Sequence, residues 1–175
     1  GNSYSSESIY KIFGVGVSRG IKYTGTAENP NYIVLIINLD SWGQANPYHD
    51  RLDKDDLYYT GEGLKGEQEL IGGNLALSKH LIKQCPIYTF KKLDTNEYTY
   101  LGQAKLENMS KELQYDEKER LREVFIYKLK LYEYSLYTQV EDEGIIAKDI
   151  LSFEKASQLL GVSIRTLTEI LKSNK

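Results

Sequence analysis

Between Pro47 and His80 this sequence gathers the side chains that could hold a flat ligand. Tyr48, His49, Asp50 and Arg51 come first, and Tyr58-Tyr59-Thr60-Gly61-Glu62-Gly63 follows. Gly66-Glu67-Gln68 and then Gly72-Gly73-Asn74-Leu75-Ala76-Leu77 complete the stretch. Glycine allows positive φ and lets a backbone come close to a neighbour. Tyrosine rings beside such a backbone supply flat faces, and Asp50 and Thr60 supply polar edges. That inventory suits a planar, hydrogen-bonding ligand such as a nucleobase. It also suits a β-rich domain with a long, tightly turned loop and half-buried tyrosines, the plainer reading that composition and spacing alone favour.

Other chemistries are poorly served. His49 and His80 are the only histidines and Cys85 is the only cysteine, which does not complete a metal cluster. Asp94 with Gln103-Ala104-Lys105 has only a faint likeness to a metal-nuclease core. The run from Gly14 to Gly20 has the glycines of a phosphate loop, but strand-and-turn residues follow it where a dinucleotide site needs a helix. No catalytic residue, metal or cofactor is expected.

The elements that must position these residues are mostly strands. Residues 32–39 form a continuous β-branched apolar run, as expected of a central strand buried on both faces. Residues 50–56 read as a charged loop, after which a strand brings in Tyr58 and Tyr59. A helix is expected from Gly72 to Lys83, with Leu77 and Leu81 on its apolar face. Residues 86–92 and 98–106 read as an antiparallel pair with a bulge at Gly102. Residues 108–119 read as polar and irregular. Residues 122–132 alternate, with Phe125, Tyr127, Leu129 and Leu131 on one side, as in a half-exposed strand. Ser6 to Phe13 offers either a short helix or an extended lead-in.

The 175 residues, 41% hydrophobic and 27% charged, fit one globular domain with an appendage. Fifteen tyrosines against four phenylalanines favour strands and half-wet surfaces. A net charge of −3 gives no global basic field, so any nucleic-acid contact must rest on a local patch. One cysteine excludes an internal disulfide and fits a reducing compartment. No apolar run approaches membrane-spanning length, and the start has no signal-peptide pattern. Gly1 in place of methionine suggests a cleaved tag or a piece of a longer chain.

Tyr59-Thr60-Gly61-Glu62-Gly63, Gly66-Glu67-Gln68 and Gly73-Asn74-Leu75-Ala76-Leu77 with His80 resemble the core signature of SRA-type (SET and RING associated) domains. The likeness is closest to the SRA-like domain of McrA-type, modification-dependent restriction enzymes. Tyr48-His49-Asp50 resembles that family's short Tyr-x-Asp element, and residues 122–131 resemble its closing strand. The resemblance implies an α+β fold, an SRA/PUA-like curved β-barrel with flanking helices, over residues 1–133. A linker (residues 134–148) and a short C-terminal helical pair (residues 149–175) would follow. In the pair, Ala156, Gly161, Val162 and Leu167 have the skeleton of a helix-turn-helix, or of a plain helical hairpin.

The function implied is recognition of a modified cytosine, 5-methyl or 5-hydroxymethyl, turned out of double-stranded DNA. By resemblance, Tyr48 and Tyr59 would be the stacking faces, Asp50 would accept from the exocyclic amine, and Thr60 with the Gly61 backbone would meet the ring edge. Gly63, Gln68 and Asn74 would shape the pocket loop. Arg19, Lys22, Arg51, Lys54 and Lys65 are the candidate phosphate contacts. The histidine-and-asparagine nuclease motif of McrA-type enzymes is absent, so a nuclease would lie elsewhere in a longer chain or in a partner. No membrane partner is expected, and the setting would be a prokaryotic cytoplasm. Two other readings stay open: a transcriptional regulator whose barrel senses a ligand while its C-terminal helices bind DNA, and a nonspecific interaction domain with a degenerate pocket.

Overall fold

The structure, a computed structural model, describes residues 3–17, 20–39 and 48–132. In chain order these form β1 (Ser3–Tyr4), α1 (Ser6–Phe13), β2 (Ile21–Gly25), β3 (Pro30–Ile37), β4 (Arg51–Asp53), β5 (Asp56–Thr60), α2 (Gly72–Lys83), β6 (Ile87–Asp94), β7 (Glu97–Tyr115) and β8 (Leu121–Tyr132). The strands make one eight-stranded sheet in the order β2-β3-β6-β7-β8-β5-β4, with β1 added to β7. Every pairing is antiparallel except β3 with β6. The α+β class and the strand-dominated architecture are those expected.

The apolar run in β3 has a direct structural cause. Ile33, Leu35 and Ile37 point into one core, with Leu57, Leu77, Ile87 and Leu129. Tyr32, Val34 and Ile36 point into a second core on the opposite face, with Ile9, Phe90 and Tyr98. A strand buried on both faces cannot alternate, so its sequence reads as unbroken hydrophobicity. The helices cover these two faces. Helix α1 brings Ile9 to the second core; the Ser5 hydroxyl caps it by accepting the Ser8 N–H at 3.1 Å, and Gly14 ends it at φ 64°. Helix α2 brings Leu77 to the first core.

The bulge at Gly102 is present: Thr89 faces Gly102 while Phe90 faces Tyr100. Four expectations are corrected. Residues 108–115 are not irregular but complete β7, paired with β8 as far as Tyr115 opposite Leu121. Most side chains of that segment are exposed, so the backbone ladder is its main support and no burial period shows in the sequence. Residues 51–53 are likewise a short edge strand, and Lys54, at φ 53°, belongs to the tight turn that joins it to β5. Strand β8 is buried on both faces over residues 124–127: Phe125 and Tyr127 lie in the first core, while Val124 and Ile126, on the opposite face, are also buried, so the alternation to a polar face begins only at Lys128. On α2 the small residues Gly73 and Ala76, with Leu77 and His80, lie inward, which turns Leu81 out to 45% exposure. The expected linker and C-terminal helical pair lie outside the described residues.

Candidate functional site

Strand β5 ends at Thr60, and the glycine-rich turn between it and α2 is anchored at once. The Gly61 N–H donates to the Phe125 carbonyl of β8 at 2.8 Å. No side chain fits at Gly61: a Cβ there would lie 2.7 Å from Gln68 Oε1 and 2.8 Å from Asn74 Oδ1. Those two amides fix the turn. Gln68 donates to the Gly61 carbonyl and accepts the Phe125 N–H at 2.8 Å. Asn74 accepts the Glu62 N–H at 2.7 Å and donates at 2.9 Å to the carbonyls of Glu62 and Glu69. The Tyr127 hydroxyl donates to the Asn74 carbonyl at 2.9 Å. All three side chains are buried, and the bonds of Gln68 and Tyr127 are shielded from competing water.

Glu62 ties the turn to the rest of the fold. Its carboxylate accepts the Ile21 N–H at 2.7 Å and also the Gly73 N–H in the first turn of α2. Helix α2 has no side-chain cap of its own at Ile71, and Glu62 supplies the acceptor from a distance. Burial raises its pKa, and the two backbone donors oppose that rise. Gly20 and Gly73 must be glycines for the same reason: a Cβ at either would run into this carboxylate.

Asp50 is the most perturbed acid at the site. It is 5% exposed, and no described ion pair includes it. Its carboxylate accepts the Thr60 N–H at 2.9 Å and the Asn38 N–H at 3.4 Å. Desolvation outweighs those donors and pushes its pKa up to about 7. Tyr59 lies close enough to Asp50, Glu62 and Tyr48 for their charges to raise its own pKa further above the effect of burial. The Tyr48 hydroxyl, partly exposed, accepts the Gly63 N–H at 3.4 Å. The Thr60 hydroxyl is buried without a partner. Tyr48, Asp50, Tyr59, Thr60 and Gly61 therefore come together, with Tyr59 inside the core, only 3% exposed, and Tyr48 at the rim.

The cationic candidates are more scattered. Arg51 pairs with Glu112 at 3.0 Å and lies 5.1 Å above the Tyr58 ring. Lys65 pairs with Glu117 at 3.3 Å. Exposed pairs of this kind are weak and exchange readily for another anion. Lys22 lies on β2 near Glu62, Lys54 occupies the exposed β4–β5 turn, and Arg19 is outside the described residues. His80 is buried in α2, where Nδ1 accepts the Leu106 N–H at 3.4 Å. Among the described residues no three His, Cys, Asp or Glu side chains gather as a metal site would need. No helix there is long and apolar enough to cross a membrane.

Sequence reasoning passed over three residues of this architecture. Glu62 lay in view between two glycines. Tyr127 was placed on the inward side of its strand, but without a partner. Arg122, 2% exposed and bonded to the carbonyls of Gly63 and Gly66, gave no signal, because its contacts lie more than fifty positions away.

The family model of the ScoMcrA-like SRA domain matches residues 1–139. This chain belongs to that family. Among solved structures it is similar to the SUVH5 SRA domain in complex with hemi-methylated CG DNA, at 26% identity and a TM-score of 0.55, over 80% of this chain and 89% of that one. It is also similar to the sulfur-binding and SRA domains of ScoMcrA with phosphorothioated DNA, at 19% identity and a TM-score of 0.55. The modification-dependent restriction endonuclease AspBHI is similar at the same identity and TM-score. This chain spans 37% and 38% of those last two chains, and the likeness to them is one of fold. Comparison with curated proteins finds no match. The SRA resemblance read from the sequence is thus borne out, and nothing found supports a ligand-sensing regulator.

Proposed function

We propose that this SRA domain recognises a modified cytosine, 5-methyl or 5-hydroxymethyl, in double-stranded DNA by taking the base out of the stack into the site around Asp50. The observation that carries the reading is a buried carboxylate held by backbone donors, with tyrosines beside it. A carboxylate oxygen that accepts one backbone N–H keeps a second lone pair, which suits the exocyclic amine of cytosine. Tyr48, at the rim, forms the stacking wall, Tyr59 closes the pocket from the core side, and Thr60 with the Gly61 backbone meets the ring edge. Flipping costs a few kcal/mol, and stacking returns roughly 1–3 kcal/mol per base, so stacking together with the edge contacts is of the right order to offset it. Lys22, Lys54, Arg51 and Lys65 hold phosphates, the last two by exchanging their surface ion pairs. Gly63, Gln68 and Asn74 keep the pocket turn in shape.

The domain is read as the specificity module of a modification-dependent restriction system in a prokaryotic cytoplasm, with cleavage carried by another domain or subunit. The AspBHI likeness, over little more than a third of that chain, supports this. The test is binding to matched duplexes with cytosine, 5-methylcytosine or 5-hydroxymethylcytosine at one fixed salt concentration, since phosphate contacts alone give salt-sensitive affinity. A preference for a modified duplex that is lost in Asp50→Ala and Tyr48→Ala is expected. Equal binding to all three duplexes would overturn the reading. Metal-dependent cleavage of modified DNA by this chain alone would overturn the assignment of cleavage to another domain.

A further inference from the structure

We propose that Arg122 is a positioning residue for the pocket, a buried cation used to aim the glycine-rich turn at the base. The inference rests on the base-reading function above. Among the described residues Arg122 is the only lysine or arginine in the buried class, and no described ion pair includes it. One nitrogen, Nη1, donates to the Gly63 carbonyl at 2.7 Å and to the Gly66 carbonyl at 3.0 Å. Nε and Nη2 are buried without a partner. Its cross-strand neighbour, Gln114, is an uncharged amide.

A guanidinium in this setting is a poor source of stability. Its desolvation is costly, and no carboxylate offsets it. Its contacts go instead to two backbone carbonyls of one turn, and that turn is the edge of the pocket. Gly63 has φ 130°, a backbone conformation that glycine reaches without steric cost and other residues rarely adopt. With its carbonyl drawn to Arg122, the Gly63 residue presents its N–H to the Tyr48 hydroxyl. Arg122 thus reaches Tyr48 through one glycine, and the next residue, Glu123, binds the same turn by donating its N–H to Glu67 at 3.1 Å. The charge strengthens both carbonyl bonds in a way that a neutral donor would not.

The test pairs Arg122→Met, which removes every donor, with Arg122→Lys, which keeps the charge and can still reach carbonyls. In the full chain, Arg122→Met is expected to lower the ratio of modified to unmodified duplex affinity by about tenfold, roughly the weight of one charge-assisted bond. Affinity for the unmodified duplex and its salt dependence stay unchanged, and Arg122→Lys recovers part of the ratio. Amide exchange in residues 61–67 speeds up in Arg122→Met without DNA, while exchange in β3 does not. An unchanged ratio, or an equal loss for both duplexes with exchange raised throughout the sheet, would overturn the proposal. If the parent chain shows no preference at all, the base-reading function fails, and the exchange pattern still decides whether Arg122 holds the turn.

Discussion

The turn between β5 and α2 and the turn between β7 and β8 are both polar and both rich in charge, yet they are held in opposite ways. In the first, residues 61–71, the bonds run to distant parts of the chain: Gly61 and Gln68 to Phe125, the Gly63 and Gly66 carbonyls to Arg122, Glu62 to Ile21. In the second, residues 116–120, Asp116 gathers its partners from within four positions. It accepts the N–H groups of Lys118 at 2.8 Å and Arg120 at 3.0 Å and pairs with the Arg120 guanidinium at 2.6 Å. Around that turn Leu113, Tyr115 and Leu121 are exposed. A turn with local bonds forms wherever its hairpin forms. One with long-range bonds exists only in the finished fold, and is then as rigid as the core beneath it. A ligand site needs the second kind.

The sharpest way to break the contrast is Gly61→Ala. The added methyl meets two buried amide oxygens closer than van der Waals contact allows. We expect a loss of about 3 kcal/mol, the upper end for overpacking, read as a lower Tm, together with loss of preference for a modified duplex. Asn74→Ala removes one acceptor and two donors from the same turn. A loss of about 2 kcal/mol by denaturant titration is expected, since three backbone groups lose their partner at once.

Asp50→Asn tests the electrostatic side. Burial lifts this carboxyl from 3.8 to about 7, so between those values the folded protein binds a proton that the unfolded chain has released. Stability therefore falls as pH rises from about 4 to about 7 and levels off above, because the native state binds more protons across that window. The amide of the variant cannot titrate, and stability measured across the window is expected to show a shallower slope; an unchanged slope would assign the pH dependence to other groups. The smallest effect belongs to the β7–β8 hairpin near its tip. Lys111→Ala breaks an exposed pair with Glu123, and neither Tm nor the modified-to-unmodified ratio is expected to move. A drop in that ratio would show that the hairpin takes part in recognition and would erase the distinction between the two turns.

Much of this protein was legible in its residues. The unbroken apolar run of β3 announced a strand buried on both faces, the spacing around Gly72 announced α2, and Gly102 marked its bulge. The glycine, tyrosine and acid motif announced the site and, by resemblance, the family, because such motifs fix local backbone shape and close approach. Local alternation could not show how far β7 runs, since its last residues are mostly exposed and only pairing with β8 makes them a strand. Nor could it show that Tyr59 lies inside the core while Tyr48 stays at the rim. Arg122, Tyr127 and Phe125 became parts of the pocket turn only when the sheet brought β8 beside β5, across more than fifty residues of sequence. Sequence determines which groups are available. Burial, which decides whether Asp50 holds its proton and which donors reach Gly61 and Gly63, is a property of the assembled sheet.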